Sequence, residues 1–412
     1  MYDYENMNSF KVTIERKLIG LYNHFLNSNL GFILTLLDFI LPKSNFDFNH
    51  GSNSVVNSSQ SQHQSKITKF AATISSTSNL ELPKNPLFIF ITPEIGKNLS
   101  NSVCNGLAES LLELESFRFI VITRSGIIVN SNFITEKKLQ LEDILKLNPN
   151  LIFFEIHTFF KEPGLLSEEV LFSVKEKANA KIIGICFDIW RSFDIDCVKR
   201  WDPYVDYFIH MDQVSAHSFN LDQNKMIFWP YVGWVTKPPK FKSKMKTLFF
   251  SGNIKPSYRR SVLKFTRKIC TKINLKFNVN RFSQNVQNDT ATTDVYLNSL
   301  HDSQFILGLS QKTEDRVIVP FRSLEAINLG CTLIQQEMEG DTPLSDLFIP
   351  NEHYLSFKSF KDIEAILCNI EVKYPEYIEI GLNAQKYMLE HYSIENMWKY
   401  LLNQIKFEKD LR

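Results

Sequence analysis

Short apolar runs alternate with amphipathic segments along most of this chain of 412 residues. The run at 87–91 is continuously apolar and short, which is typical of a strand buried on both faces. The segment 98–114 instead carries apolar residues three or four apart, which predicts a helix. Strands that alternate with helices indicate right-handed βαβ units and a parallel sheet. The strands predicted in this first half lie at 87–91, 117–122, 151–156, 181–187, 206–210 and 226–229.

The same alternation starts again after a proline-containing break at 237–240. Gly330 follows one of the predicted helices and is expected to end it. Two successive units predict an α/β fold of two doubly wound, Rossmann-like domains that face a cleft, with ligands at the carboxyl ends of the strands. The strands of this second unit are predicted at 247–251, 275–279, 304–309 and 332–335, and its helices at 258–273, 295–300, 321–329, 361–370, 374–391 and 394–407.

The residues before the first strand follow a different pattern. Residues 14–41 carry an apolar helical pattern, and residues 51–66 are almost entirely Ser, Asn and Gln. We therefore expect a helical extension at 1–50 and a flexible linker at 51–82. Packing of 14–41 against the main body is the favoured interpretation, and a contact with a membrane surface or a partner is the alternative.

Composition and charge narrow the classes of function. Lys plus Arg number 46 and Asp plus Glu number 45, so the net charge of +1 argues against a protein whose whole surface grips nucleic acid. Six cysteines without C-x-x-C spacing indicate reduced thiols. The N-terminus is polar, and no apolar run reaches the roughly 18–20 residues of a membrane span. The expected location is cytoplasmic, with a peripheral membrane contact through 14–41 as the alternative.

The sequence lacks the signatures of several enzyme classes. It contains no G-x-G-x-x-G after the first strand, no G-x-x-x-x-G-K-[ST], no G-x-S-x-G and no H-E-x-x-H. Asp194 and Asp196 form an Asp-x-Asp spacing, but they fall in a segment that we interpret as a loop after the fourth strand. We therefore expect neither a metal site nor a cofactor.

The clearest candidate chemistry lies between Arg316 and Glu337. Arg322 and Glu325 are three residues apart at the start of a predicted helix, so their side chains share one face. A guanidinium at a helix N-terminus suits a diphosphate, and a carboxylate one turn later suits ribose hydroxyls. An exposed Arg–Glu ion pair of little energetic consequence is the alternative.

The order of these motifs resembles the donor-binding region of glycosyltransferases with the GT-B fold. The matching positions are Arg322, Glu325-Ala326 and Gly330, followed by the segment 343–348. Upstream, the segment 249–253 is similar to the start of the second domain in this family, and 181–188 with 205–208 resembles its spore-coat-maturation group. The resemblance covers residues 86–392. Val317 stands where many retaining members carry a second Glu.

The resemblance implies transfer of a sugar from a nucleotide-sugar donor to a glycan, lipid or protein acceptor, without a metal. It implies an acceptor-side domain at 83–234, a donor-binding domain at 235–392, and a last helix at 393–412 that packs back on the first domain. An exostosin-like transferase, with a similar Arg-x-x-Glu-Ala pattern, is one alternative. A non-catalytic nucleotide-sugar-binding or scaffold protein is the other, and no nucleic-acid partner is expected.

Nine residues are candidates for the site. Asp188 and His157 follow predicted strands on the cleft side and are candidates for the catalytic base, although Asp188 also fits a helix cap and His157 a loop histidine. Gly252 and Asn253 fit a close backbone approach to phosphate, or else an ordinary strand-to-helix turn. The full set expected to bind the donor is Gly252, Asn253, Arg259, Arg316, Arg322, Ser323 and Glu325.

Overall fold

A computed structural model describes most of the chain after residue 70. The expected extension at 1–50 and nearly all of the linker at 51–82 lie outside the described residues, as does most of the predicted helix at 98–114. The described residues are 71–74, 76, 86–91, 110–114, 118–123, 126–129, 132–135, 147–156, 168–178, 180–186, 192–210, 222–229, 244–252, 254, 257–281, 296, 298–313, 316–317, 321–337 and 343–406.

In the described part of the chain, the first sheet has eight strands in the order β4-β3-β2-β1-β5-β6-β7-β8. It is parallel from β2 across to β8, whereas β3 and β4 continue β2 as an antiparallel meander that the sequence pattern did not predict. The strands are β1 (Leu87–Ile91), β2 (Arg118–Thr123), β3 (Gly126–Val129), β4 (Asn132–Thr135), β5 (Leu151–Glu155), β6 (Lys181–Cys186), β7 (Tyr207–His210) and β8 (Met226–Phe228).

Among the described residues, the helices that lie between strands of this sheet in the chain are α1 (Glu168–Ala178) and α2 (Ser192–Trp201). The expectation of a loop around Asp194 and Asp196 is wrong, because both residues lie within α2. Burial explains the helix: Trp201 is fully buried and packs its ring edge-on against Phe154 at 5.5 Å. Its indole N–H also donates to the carbonyl of Ile156 at 3.2 Å, which secures the helix to the end of β5.

The second sheet, as far as its residues are described, has five parallel strands in the order β10-β9-β11-β14-β15. A separate antiparallel pair, β12 with β13, follows β11. The strands are β9 (Met245–Gly252), β10 (Lys276–Arg281), β11 (Ser303–Gly308), β12 (Gln311–Thr313), β13 (Arg316–Val317), β14 (Thr332–Gln336) and β15 (Leu355–Phe357). The helices of this part are α3 (Ser257–Lys272), α4 (Phe321–Asn328), α5 (Phe360–Cys368), α6 (Tyr374–His391) and α7 (Ile394–Gln404).

Each of the two sheets is a Rossmann-like unit, because its central strands are parallel and buried on both faces. The α/β class and the two-sheet organisation expected from the sequence are therefore confirmed. Within the residues described, no helix is long and apolar enough to cross a bilayer.

Helix α7 contacts the first sheet, although it follows the second sheet in the chain. Trp398 of α7 is fully buried, with its ring centroid 5.9 Å from that of Phe88 and 5.8 Å from that of Phe153. Its indole N–H donates to the hydroxyl of Ser110 at 2.8 Å, and the indole of Trp229 donates to the Met397 carbonyl at 3.0 Å. The last helix thus shares a core with the first sheet.

A buried histidine beside α6 makes the stability of the fold depend on pH. His353 accepts a hydrogen bond at Nδ1 from the Ile349 N–H at 3.1 Å, and its ring lies 4.5 Å from that of Tyr387. Burial, and then the neighbouring His391, lower the pKa of His353 from 6.5 to about 4. The folded chain therefore favours the neutral ring, and the unfolded chain binds the proton more readily between those two pH values.

We expect the free energy of unfolding to fall by about 2 kcal/mol between pH 7 and pH 5 because of His353 alone. Stability is gained as the pH rises, since the unfolded state holds more protons in this range. His353→Gln keeps an acceptor for the Ile349 N–H but does not titrate, so it should flatten this part of the profile. Urea titrations at the two pH values measure the free energy of unfolding of each protein. An equal loss of stability between pH 7 and pH 5 in the unmodified chain and in His353→Gln would contradict the role of His353.

Candidate functional site

Several polar side chains of the second sheet meet at the carboxyl ends of its strands. Strand β9 ends at Gly252, and helix α4, which precedes β14, begins at Phe321. Because the strands are parallel, the chain leaves each of them at the same edge, where ligands of such sheets bind. The sheet and the buried side chains of α4, Leu324, Ala326 and Ile327, hold the start of that helix in place.

The guanidinium of Arg322 lies directly against the end of β9. Its Nη1 donates a hydrogen bond to the carbonyl of Ser251. A β-carbon built at Gly252 would lie 3.0 Å from Cζ of Arg322 and would overlap Nη1, and Gly252 has a φ of +153°. Position 252 therefore requires glycine on two grounds, its backbone conformation and the space that Arg322 occupies.

Glu325 lies one turn further along α4 and is held by a residue from another part of the chain. The Tyr296 hydroxyl donates to Oε2 of Glu325. Burial raises the pKa of Glu325, while the Tyr296 hydrogen bond and the charge of Arg322 act in the opposite direction. The carboxyl group is thus oriented by one neighbour and kept close to a cation by another.

A second guanidinium lies at the start of α3. Arg259 is buried, and its Nε donates to the hydroxyl of Tyr258 at 2.8 Å. Burial raises the pKa of that tyrosine, whereas the charges of Arg259 and Arg322 lower it. Both arginines therefore act on Tyr258, and this edge of the sheet concentrates positive charge suited to an anion.

The hydroxyl of Ser251 is a buried polar group at the end of β9. The side chain is 2 % exposed, and its Oγ has no hydrogen-bond partner among the described residues. A buried hydroxyl left without a hydrogen bond costs free energy, which a bound ligand with a polar atom would recover. The position of this hydroxyl at the end of β9, next to Gly252, adds one polar contact for such a ligand.

Ser323 points into the protein interior. It is fully buried, and its hydroxyl donates to Oε1 of Gln335 at 2.8 Å. Gln335 in turn donates to the Ser310 hydroxyl and to the Gln336 carbonyl. These contacts tie α4 to β14 and to Ser310, which follows β11, so Ser323 positions the helix that carries Arg322.

Four of the predicted site residues cannot be placed in this cluster. Asn253, Asp188 and His157 lie outside the described residues. Arg316 has a described backbone in β13, paired with Thr313 of β12, but its side chain is outside the description. The described cluster therefore unites Gly252, Arg259, Arg322 and Glu325 from the sequence-based set.

Two residue pairs at or near this edge were missed by the sequence analysis. Tyr296 precedes β11 and has no motif that links it to Glu325, so no sequence signal could have found the pair. Glu337 follows β14 and is buried, and the Tyr354 hydroxyl donates to its Oε1. Burial raises the pKa of Glu337, and the hydrogen bond from Tyr354 opposes that rise. The polar run 335–337 at the end of a predicted strand was the available signal for Glu337.

The described residues include no group of three or more His, Cys, Asp or Glu side chains arranged to hold a metal ion. This edge of the sheet can bind a diphosphate through Arg322 and Arg259 and a sugar hydroxyl through Glu325.

The C-terminal part of the chain matches a known family. Residues 261–403 match the family model described as glycosyl transferase-like, from within α3 through most of α7. This match confirms the glycosyltransferase resemblance for residues 261–403, whereas β9 lies before the matched range. The spore-coat-maturation subtype stays a prediction. No curated protein sequence matches the chain.

Solved structures give weaker likenesses. The chain is 14 % identical to TarM of S. aureus, and the two structures superpose with a TM-score of 0.47. This match covers 68 % of the chain described here and 60 % of the TarM chain. It is 10 % identical to the trehalose-6-phosphate phosphatase N-terminal domain of Candida albicans, with a TM-score of 0.47. That match covers 80 % of this chain and 98 % of the Candida albicans domain. It is 9 % identical to AviGT4, a glycosyltransferase involved in Avilamycin A biosynthesis, with a TM-score of 0.45. That match covers 78 % of this chain and 97 % of AviGT4. The chain thus spans less than two thirds of TarM, and the fold assignment rests on the strand order given above.

Proposed function

We propose that this chain is a glycosyltransferase that takes a sugar from a nucleotide-sugar donor bound at the carboxyl edge of the second sheet. The observation that carries the proposal is the convergence of Gly252, at the end of β9, with Arg322 and Glu325 of α4. Helix α4 lies within the residues 261–403 that match the glycosyl transferase-like family. In this proposal Arg322 binds the diphosphate and Glu325 accepts hydrogen bonds from the ribose hydroxyls.

The chemistry needs charge stabilisation on the leaving diphosphate. As the bond between sugar and diphosphate breaks, negative charge grows on the phosphate oxygens, and cations held in advance near them lower the barrier. Arg322 and Arg259 supply that charge in the proposal, with a further contact from the Ser251 hydroxyl. These residues need no metal ion for this role.

The acceptor is proposed to bind on the side of the first sheet. An acceptor hydroxyl attacks the anomeric carbon and loses its proton to a base if the reaction inverts the configuration. Asp188 and His157, after β6 and β5, remain the proposed bases. A glycan, lipid or protein hydroxyl fits this chemistry equally, so the proposal names the class of acceptor as a hydroxyl-bearing molecule.

A thermal-shift panel of nucleoside diphosphates and nucleotide sugars tests the donor assignment. A ligand at 100 times its Kd stabilises the folded state by about 2.7 kcal/mol, which is a readily measured shift. Release of nucleoside diphosphate from the stabilising nucleotide sugar then tests the reaction itself. Stabilisation without any release, even with a panel of acceptors, would favour the non-catalytic nucleotide-sugar-binding protein, and no stabilisation by any nucleotide would overturn the proposal.

Glu325→Gln is expected to lower nucleotide affinity by about one to two orders of magnitude. The carboxylate is a charged acceptor, and a hydrogen bond to a charged group contributes roughly 1.5–3 kcal/mol. The loss should be the same for a nucleoside and its diphosphate, since both carry the ribose. Isothermal titration with both ligands measures it, and unchanged affinity for the nucleoside would remove Glu325 from the site.

Tyr296→Phe tests whether the hydrogen bond from Tyr296 controls the protonation of Glu325. It keeps the carboxylate but removes the donor that lowers the pKa of Glu325. Nucleotide affinity falls as the pH drops and Glu325 becomes protonated, so in Tyr296→Phe that fall should begin at a higher pH. An identical pH profile in both proteins would show that Tyr296 does not act on the carboxylate.

Activity is expected to survive a chelator, because the proposed site stabilises the leaving diphosphate with guanidinium groups. The measurement is nucleoside diphosphate release before and after treatment with EDTA, with readdition of Mg²⁺ or Mn²⁺. A complete loss on chelation that either ion restores would contradict the metal-free mechanism.

A further inference from the structure

One segment of this chain contains many basic residues and no acidic ones, although the net charge of the whole chain is close to zero. Between residues 223 and 288 there are 15 Lys and Arg and no Asp or Glu. The remainder of the chain carries 31 basic and 45 acidic residues. The net charge of +1 is therefore the sum of a basic segment and an acidic remainder. The basic segment has no acidic residue of its own, whereas the remainder contains charges of both signs.

The structure arranges part of this basic segment as one face of a single helix. Helix α3 carries six Lys and Arg and no acidic residue. Its inner face is apolar and buried, whereas five basic side chains lie on its exposed outer face: Arg260, Lys264, Arg267, Lys268 and Lys272. At about 1.5 Å per residue, the row extends over roughly 18 Å. Lys276, also exposed, continues the row at the start of the edge strand β10.

Three residues in the second half of this row, Arg267, Lys268 and Lys272, lie beside helix α5 without a counter-ion among the described residues. Helix α5 packs beside α3, and its first turns carry Lys361, Asp362 and Glu364. Asp362 is engaged in capping α5 through Ser359.

We propose that the outer face of α3, from Arg260 to Lys272, is a contact surface for an anionic lipid bilayer. A bilayer presents a flat plane of negative charge, and a straight helix that lies along the protein surface presents its whole basic row to such a plane at once. The attraction is electrostatic and needs no insertion of apolar side chains, in keeping with an apolar face of α3 that is already buried in the protein core.

The geometry fits nucleic acid less well. A helix that reads duplex DNA must project into the major groove, whereas α3 is flanked by α5 and packed flat on the sheet. Proteins that bind single strands add aromatic side chains on which bases stack. The outward-facing positions of α3, Arg260 through Lys272, carry no exposed aromatic residue. The bilayer is therefore the partner that this surface favours.

Vesicle co-sedimentation of the full chain tests the proposal, with vesicles of phosphatidylcholine alone and of phosphatidylcholine with 30 mol % phosphatidylglycerol. We expect binding to the anionic vesicles only, and release as salt is raised from about 50 to 500 mM. The triple variant Arg267→Glu, Lys268→Glu, Lys272→Glu should bind more than about 100-fold more weakly, because each basic residue near such a surface contributes about fivefold in affinity.

A matched variant separates the surface from net charge. Lys177→Glu, Lys199→Glu, Lys386→Glu makes the same change in charge at exposed positions of α1, α2 and α6, and should keep most of the binding. Equal loss in both triple variants, equal binding to neutral vesicles, or no binding of the unmodified chain would overturn the proposal. Binding of a 30-nucleotide single-stranded RNA that only the α3 variant loses, without vesicle binding, would assign the surface to nucleic acid instead. Thermal unfolding of each variant shows that it is folded.

Discussion

Arg322→Ala is expected to weaken nucleoside diphosphate binding by more than about 100-fold while the chain stays folded. A planar guanidinium can make two parallel charge-assisted hydrogen bonds to a diphosphate, each worth roughly 1.5–3 kcal/mol. The substitution removes both and also removes the contact with the Ser251 carbonyl. Isothermal titration with the nucleoside diphosphate that stabilises the chain measures the loss.

Comparison of ligands makes this prediction specific to the diphosphate. Affinity for the corresponding nucleoside should change little in Arg322→Ala, because the nucleoside has no phosphate. Arg322→Lys should have an intermediate effect, since an ammonium keeps the charge but cannot make the paired bonds. An equal loss for nucleoside and diphosphate would show that Arg322 supports the site structurally rather than binding phosphate.

Gly252→Ala should reproduce the defect of Arg322→Ala without any change to the arginine itself. A β-carbon at this position overlaps Nη1 of Arg322, so the guanidinium must move away from the end of β9. Full affinity in Gly252→Ala would mean that the guanidinium binds ligand from a different position.

The second large expected effect is on stability, through the packing of the last helix against the first sheet. Trp398→Ala is expected to lower the free energy of unfolding by about 3–5 kcal/mol, the usual cost of truncating a buried aromatic residue. The indole is 1 % exposed, packs against Phe88, Phe153 and Trp229, and donates to Ser110. Urea-induced unfolding followed by circular dichroism gives the value.

Asn403→Ala is the matched control on the same helix. Asn403 is exposed near the end of α7, and its substitution should change stability by less than about 0.5 kcal/mol. Similar losses in both variants would contradict the shared core of α7 and the first sheet, and would point to the helix itself as the source of stability.

Much of the fold follows from local pattern. Continuous apolar runs identified β1, β5, β6 and β11, because a strand covered on both faces has no polar side to break the run. The helix at 374–391 was predicted with the bounds that α6 has, since a long amphipathic segment gives many consistent positions. The meander of β3 and β4 and helix α2 were missed by the sequence pattern.

The candidate site was predictable only in part. Arg322 and Glu325 are close in sequence, so helical geometry alone sets them on one face. Tyr296 is 29 residues from its partner Glu325, and Gly252 is 70 residues from Arg322, so no local rule joins either pair. Ser323 had the right position for a ligand contact, but its hydroxyl is hydrogen-bonded to Gln335 of β14.

By itself, the sequence determined the α/β class, the repeat of two Rossmann-like units and the helix that carries Arg322 and Glu325, because these depend on periodicity and on residues within a few turns of one another. It also contained the charge segregation between residues 223 and 288. Only the tertiary structure decided which polar groups meet at the end of β9, and that five of the basic residues form one exposed row. Both depend on the packing of elements distant in sequence, where the contacts of a side chain are set by the order of strands and by the space that its neighbours leave.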